Sequence, residues 1–413
     1  MPDAEPPGQE HNDMPTHPAV PEISLIVNTY MKPRHLELVL DSIEQQEGVV
    51  GGFEVVVSDD GSTDETAELV ARRAANASFR IAFTSRPHDG FRLARVRNDG
   101  ARLAHGKRLL FLDGDCMLPR NHVAVHLSRC REGVATGGDC GRLDELQSRS
   151  VDPTTLDANA VHQLLPAKER AALKRRLRKW RWYSLIGHPT KPRLVGNNIC
   201  IHRRDFDVVN GFDERFVGWG QEDDDITLRL RAVGVRLETV LDRTCSLHVW
   251  HPTDPTATAR WRDGTNVRYF LRRGRLACCR QGLTTRGLDN LRWRLPADLE
   301  TTATGRGVAL LFDKQQTRNT VHGDPSHRST VVPAPEIDLV VWPGRGSFAR
   351  RTQRAGRISP ECRVLLVEGN HTPPYRLRSA ADVVLDAPLV SSADTPAGHT
   401  SLEKLAALLE TVA

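Results

Sequence analysis

Long apolar runs are missing from this chain of 413 residues, so no segment of it reads as a helix that crosses a bilayer. Its first stretch, Met1 to Pro21, is polar and rich in Pro, Glu and His; it lacks the apolar core of a signal peptide and is expected to be disordered. Cysteine pairs of metal type are also missing. The eight cysteines are scattered, and the adjacent Cys278 and Cys279 are a poor start for a disulfide framework, so a reducing cytosol is the expected compartment, with any membrane association peripheral. Charge of one sign is scarce too: a net +5 over this length argues for neither a nucleic-acid partner nor a strongly acidic one. What remains, 39% hydrophobic residues, suffices for two globular domains or one large domain with an appendage.

Short β-rich runs alternate with helical periodicity through the first part of the chain. Ile23 to Thr29 predicts a strand, and Pro33 opens a helix through Leu36, Val39, Leu40 and Ile43. Phe53 to Ser58 predicts the next strand, after which Ser62 and Glu65 form a capping box for a helix through Leu69 and Val70. Strands are expected at Arg80 to Thr84 and Arg108 to Leu112, with a helix between them through Ala94, Val96, Ala101 and Leu103. Further strands are expected near Asn198 to His202, Arg236 to Leu241 and Ser246 to Val249. The alternation predicts an α/β fold with a mostly parallel sheet covered on both faces.

Three acidic motifs stand out from this background. Asp113-Gly114-Asp115 follows the apolar run Leu109 to Leu112, which puts two carboxylates at the C-terminal end of a buried strand, the edge where open α/β sheets bind ligands. Period-two alternation aims both to one side, and Gly114 permits a close approach. Hard oxygen ligands suit Mg²⁺ or Mn²⁺ with substrate phosphates completing the shell, although Asp-Gly-Asp is also a common surface turn. Asp59-Asp60-Gly61-Ser62 ends another buried strand, and an aspartate there can accept a hydrogen bond from the imide NH of uracil. Gly218-Trp219-Gly220-Gln221 leads into four consecutive carboxylates, Glu222 to Asp225, where an aromatic ring can stack on a sugar and an acid can take a proton from a hydroxyl. The same four acids also suit the first turn of a helix running through Ile226, Leu230 and Val233.

Taken together, Ser24-Leu25-Ile26-Val27-Asn28-Thr29-Tyr30, Val57 to Ser62 and Phe111 to Asp115 resemble the nucleotide-side motifs of inverting GT-A glycosyltransferases of family 2. Val195-Gly196-Asn197-Asn198 and Asn210 to Glu214, leading into Trp219 to Asp225, are similar to the acceptor-side segment of β-1,4-galactosyltransferases and the bacterial chondroitin polymerase. The resemblance runs from about Pro21 to Pro252 and implies a GT-A domain over residues 22–290. It implies that Asn28, Tyr30 and Asp60 border uracil, and that Arg97 and Asn98 line the nucleotide-sugar pocket. Asp115 is implied as principal metal ligand, with Asp113 beside it and His248 completing the shell, His251 competing for that place. A histidine ligand favours Mn²⁺ over Mg²⁺. On the acceptor side, Trp219 is implied to stack on the sugar, Glu222 and Asn198 to bind it, and Asp223 to act as general base, an assignment that can shift to Glu222. The implied substrates are a UDP-sugar carrying a hexose or N-acetylhexosamine and a glycan or lipid-linked acceptor.

A basic helical insert, about 163–183, separates the two halves. It carries Lys168, Arg170, Lys174, Arg175, Arg176, Arg178, Lys179 and Arg181 against Glu169, and ends in Trp180, Trp182 and Tyr183. Such a helix suits an anionic membrane surface or an anionic polysaccharide, and equally a solvated face or a lid. A second basic, aromatic segment spans Arg260 to Arg275. Apolar runs at Val308 to Phe312, Ile337 to Trp342, Val364 to Val367 and Val383 to Leu385, with a last helix Leu402 to Val412, predict a small α/β module over 305–413 that carries no catalytic motif. A reading of another class is a non-catalytic membrane- or nucleic-acid-binding module on a degenerate transferase scaffold. The intact Asp113/Asp115 pair and the acidic corner argue against it.

Overall fold

The computed structural model describes residues 20–188, 190–252, 264–270, 278–279 and 281–285, together with four strand backbones between residues 292 and 387. The expected disordered start, the run at Val308 to Phe312, the final helix and most of the 260–275 segment lie outside the described residues.

In chain order the elements are β1 Ile23–Thr29, α1 Pro33–Glu44, β2 Phe53–Asp59, α2 Thr66–Asn76, β3 Ile81–Ser85, α3 Leu93–Leu103 and β4 Arg108–Asp113. There follow β5 Cys116–Met117, α4 His122–Arg129, β6 Val134–Gly137, β7 Cys140–Arg142, α5 Glu145–Ser150, a 3-10 turn at Pro153–Thr155, α6 Ala158–Leu164 and α7 Ala167–Leu185. Next come β8 Asn198–His202, α8 Arg203–Val208, α9 Glu222–Ala232, β9 Arg236–Thr239, β10 Ser246–His248 and a short α10, Thr265–Phe270.

Seven strands form the central sheet in the order β3-β2-β1-β4-β8-β6-β9. The first four are mutually parallel, β8 runs antiparallel to both β4 and β6, and β9 is parallel to β6, so the sheet is mixed but mostly parallel. Period-two alternation in β1, β2 and β4 sorts the apolar side chains onto two faces. Leu25, Val27, Val55, Val57, Leu110 and Leu112 pack with Leu36, Val39, Leu40 and Ile43 of α1. On the other face Ile26, Val56, Leu109 and Phe111 meet Ala94 and Ala101 of α3, Phe206 of α8, and Ile226 and Leu230 of α9. Register brings the strand ends level: Asn28 sits opposite Ser58 on one side and Asp113 on the other, with Thr29 opposite Asp59. A second sheet, β5-β10-β7, lies beyond the end of β4 and pairs His248 with both Cys116 and Arg142.

The expected capping box is not formed. Asp64, not Ser62, accepts from the Thr66 amide (3.1 Å) and hydroxyl (2.5 Å) at the start of α2. Ser62 is drawn away by Asp59, whose carboxylate accepts from the Gly61 and Ser62 amides and the Ser62 and Ser85 hydroxyls. Farther along, β11 Arg292–Arg294, β12 Glu336–Trp342, β13 Cys362–Glu368 and β14 Val383–Ala387 form a parallel four-stranded sheet in that order.

Candidate active site

A cavity of about 570 Å³ opens at the aligned ends of β1, β2 and β4 and is lined in part by Asn28, Tyr30, Asp60, Asp113, Asp115, Trp219 and His248. Seven of the residues singled out by motif therefore share one wall. Beside Asp60, Tyr30 stacks on His88 with centroids 4.3 Å apart, and His88 Nδ1 lies 2.9 Å from the Asp60 carbonyl oxygen. Burial raises the Asp60 carboxyl, and its Oδ1 is buried with no hydrogen-bond partner.

The β4 strand ends in Asp113, whose Oδ1 accepts from Asn28 Nδ2 at 3.0 Å. Gly114 follows, and a Cβ there would stand 2.8 Å from the Asn28 carbonyl; the close approach it permits is that of β1 itself, sealed by the Gly114 amide donating to Asn28 O at 2.8 Å. The turn aims Asp115 back into the cavity. Strand β10 then brings His248 Nε2 to 3.6 Å from Asp115 Oδ1, and His251 Nε2 reaches Oδ2 at 3.1 Å. Both histidines thus reach the same carboxylate. Donor atoms of Asp115, His248 and His251 all lie within 4.8 Å of one another, a carboxylate with two imidazoles, a set that suits a divalent transition-metal ion, Mn²⁺ among them, better than Mg²⁺. Burial alone would raise the Asp115 carboxyl, but the His251 hydrogen bond and the His248 and Lys32 charges outweigh it and hold it well below the usual carboxylate range. Burial lowers His248, whereas the bond to Asp115 raises His251.

Lys32, at the start of α1, was not marked by any motif, yet its Nζ sits 3.1 Å from Asp115 Oδ2. A lone lysine before a helix-opening proline gives no sequence signal of its own. Nor does His88, in the irregular stretch between β3 and α3.

At the other end, the Gly-Trp-Gly turn has a built support. Gly218, Gly220 and Gln221 take φ of 88°, 90° and 77°, the left-handed region that favours glycine. Asn266 of α10 donates to the carbonyls of Gly218, Trp219 and Gly220 at 3.0–3.4 Å, and so fixes Trp219 at the cavity wall. The four acids then enter α9, where successive side chains point about 100° apart, and each finds a different partner. Glu222 Oε1 accepts from Arg97 at 3.1 Å, Asp223 accepts from the Gly196 amide at 3.0 Å, Asp224 pairs with Arg193, and Asp225 binds Arg229 at 2.7 Å with both side chains fully buried. Burial, reinforced by the Asp223 charge, pushes the Glu222 carboxyl up to about 7.

Several residues assigned to ligand contact sit behind the cavity wall instead. Arg97 is 1% exposed and bridges Glu222 to Asp113, its second guanidinium nitrogen lying 3.4 Å from Asp113 Oδ1. Asn98 is fully buried; it donates to Phe212 O and Glu214 and accepts from the Phe212 amide, which pins the Asn210 to Glu214 segment to α3. Asn198 is also fully buried, because β8 turns its side chain into the packing between His122 and His126, whose Nε2 atoms lie 3.2 and 2.9 Å from its Oδ1. Glu222, which is buried, and Asp223, which is half-buried, are not among the residues that line the cavity.

Comparison with known proteins agrees with this architecture. Residues 24–177 match the family described as Glycosyl transferase family 2, and residues 185–251 match the N-terminal domain of galactosyltransferase. Validoxylamine A glucosyltransferase of Streptomyces hygroscopicus subsp. jinggangensis is 30% identical over 250 residues, covering 52% of this chain and 53% of the relative. Chondroitin synthase of Escherichia coli is 24% identical over 234 residues, covering 53% of this chain and 33% of the relative. Among solved structures, a mannosyltransferase from Pyrobaculum calidifontis, in complex with GDP-Man and Mn²⁺, aligns at TM-score 0.42 and 21% identity over 60% of this chain and 61% of that one. The chain spans about half the length of the first of these curated relatives. The chain thus carries a segment similar to glycosyltransferase family 2, followed by one similar to the N-terminal domain of galactosyltransferase.

Proposed function

We propose that the chain is a metal-dependent inverting glycosyltransferase that moves a hexose or N-acetylhexosamine from a UDP-sugar to a hydroxyl of a glycan or lipid-linked acceptor. One observation carries the reading: a single cavity wall joins Tyr30 and Asp60 to the Asp115, His248 and His251 cluster and to Trp219. In this reading residues 22–290 are the catalytic domain, and 305–413 form a module of separate role.

Asn28, Tyr30 and Asp60, all in the cavity lining, border the uracil, with the Asp60 carboxylate accepting its ring NH. Asp115, His248 and His251 would hold Mn²⁺, with Asp113 beside them, and the ion when bound stabilises charge developing on the leaving diphosphate. Trp219 stacks on the acceptor sugar. Asp223, half-buried, takes the proton of the attacking acceptor hydroxyl as general base, and Glu222, buried beside it, serves the acceptor side by positioning rather than by contact. Both oxygens of Asp223 accept backbone amides, from Gly196 and Asp224, and each keeps a further lone pair for the hydroxyl. Arg97 is a positioning residue that fixes Asp113 and Glu222 relative to each other; Asn98 and Asn198 hold the segments around them.

The test begins with UDP release across a panel of UDP-sugars, which needs no knowledge of the acceptor. With the donor known and an acceptor in hand, Asp223→Asn is expected to lower turnover at least about 100-fold, with UDP affinity within about twofold of wild type. Near-normal turnover in this variant would refute the base assignment.

A further inference from the structure

The basic helix α7 is divided lengthwise. One face is docked: Leu173 packs against one core cluster and Trp180 against the other, Arg176 pairs with Asp139 at 3.1 Å, and Glu169 accepts from the Arg142 amide at 3.3 Å. These positions recur at intervals of three and four residues, the spacing of one helical stripe. The opposite stripe faces solvent and carries Lys168, Lys174, Arg175, Arg178 and Lys179, which have no hydrogen-bond or ion-pair partner among the described residues. On the same stripe, at its C-terminal end, stand Trp182, Leu185 and Ile186, exposed to 59%, 80% and 50%.

The aromatic end anticipated from sequence is thus split between two faces. Trp180 is half-buried, Tyr183 packs on His188 with Lys191 over its ring, and Trp182 is left outside.

We propose that this outward face of α7 docks on an anionic lipid bilayer, the cations lying among phosphate headgroups and Trp182, Leu185 and Ile186 entering the interface. The combination decides between partners. A soluble polyanion is served by the cations alone and gives no reason for three large apolar side chains to stand in water beside them, whereas a bilayer interface takes both. No helix among the described residues is long and apolar enough to cross a membrane, so the attachment is along the surface.

Position gives the docking a use. The docked stripe of α7 lies on β7, whose Arg142 lines the cavity, and Trp180 packs near Leu194, two residues before the Gly196 amide that holds Asp223. A bilayer on the free face therefore lies one helix diameter from the acceptor side of the site. This last step rests on the proposed transferase reading and narrows its acceptor to a membrane-borne one.

Flotation of the full chain with vesicles tests the idea, using phosphatidylcholine alone or mixed with phosphatidylglycerol, at low and high salt. The chain is expected to float only with the anionic vesicles and to be released by salt. Replacing Lys174, Arg175, Arg178 and Lys179 together by Gln should reduce binding at least roughly tenfold. Trp fluorescence should shift to the blue on anionic vesicles, and Trp182→Phe should remove that shift. UDP release in solution, measured on the same preparations, should be unchanged by either variant, so loss of membrane binding and loss of the transferase reading are separate outcomes. Absence of flotation at low salt would overturn the proposal, as would equal binding to a soluble polyanion such as heparin with no Trp182 shift.

Discussion

Arg97 and Glu222 show how single side chains set the chemistry. The guanidinium is buried against carboxylates from two distant motifs, Asp113 and Glu222, and Glu222 keeps a second oxygen that is buried without a partner. Burial and the neighbouring Asp223 charge move the Glu222 carboxyl from 4.5 to about 7. Between those values the folded chain binds a proton that the unfolded chain has released, so this residue's contribution to stability falls as pH rises through the window and is lowest above it. Glu222→Gln removes that dependence. Its melting temperature minus that of wild type should therefore increase from about pH 5 to about pH 8, whatever constant offset follows from losing the Arg97 partner. A difference that stays level across this range would mean that Glu222 titrates normally. The sequence marked Glu222 as an acid of the corner, but burial and the reach of Arg97 are properties of the packed layer, and no local pattern encodes them.

At the scale of elements, the acidic corner is a helix start whose four acids meet four different partners, because consecutive helical residues diverge. Asp225 faces inward and is joined to Arg229 one turn later, with both side chains fully buried; Arg229 also donates to the carbonyls of Val209 and Gly211. Arg229→Met removes the buried cation shared by the Asp225 carboxylate and two carbonyls, so unfolding in urea should show a loss of about 3–5 kcal/mol. A loss below about 1 kcal/mol would show that the pair is not buried as described. Strands and helices with clear periodicity were legible in advance: β8 has the expected bounds, and β1, α1 and β4 lie within a residue or two of theirs. The start of α2 was not, since Asp59 across the turn holds Ser62 and the helix opens at Glu65 with no side-chain cap. Likewise the docked face of α7 could not be read from a helix whose two faces are both basic.

For the whole molecule, the decisive feature is that strands from both sequence halves meet at one cavity. β1, β2 and β4 supply Asn28, Asp60 and Asp113 at or just past their ends, and β10, far along the chain, returns to set His248 against Asp115. Motif order suggested that convergence. It did not reveal that His248 and His251 both lie against Asp115, because two histidines three residues apart can meet one carboxylate only when the chain beyond β10 folds back. Nor did it reveal Lys32, which comes to Asp115 through the packing of α1 beneath the sheet edge. The most direct test of the whole account is release of UDP from a UDP-sugar in the presence of Mn²⁺. The account predicts release that is lost on adding a chelator, restored by excess Mn²⁺ and lost in Asp115→Asn; release that persists undiminished in the chelator or in that variant would contradict it.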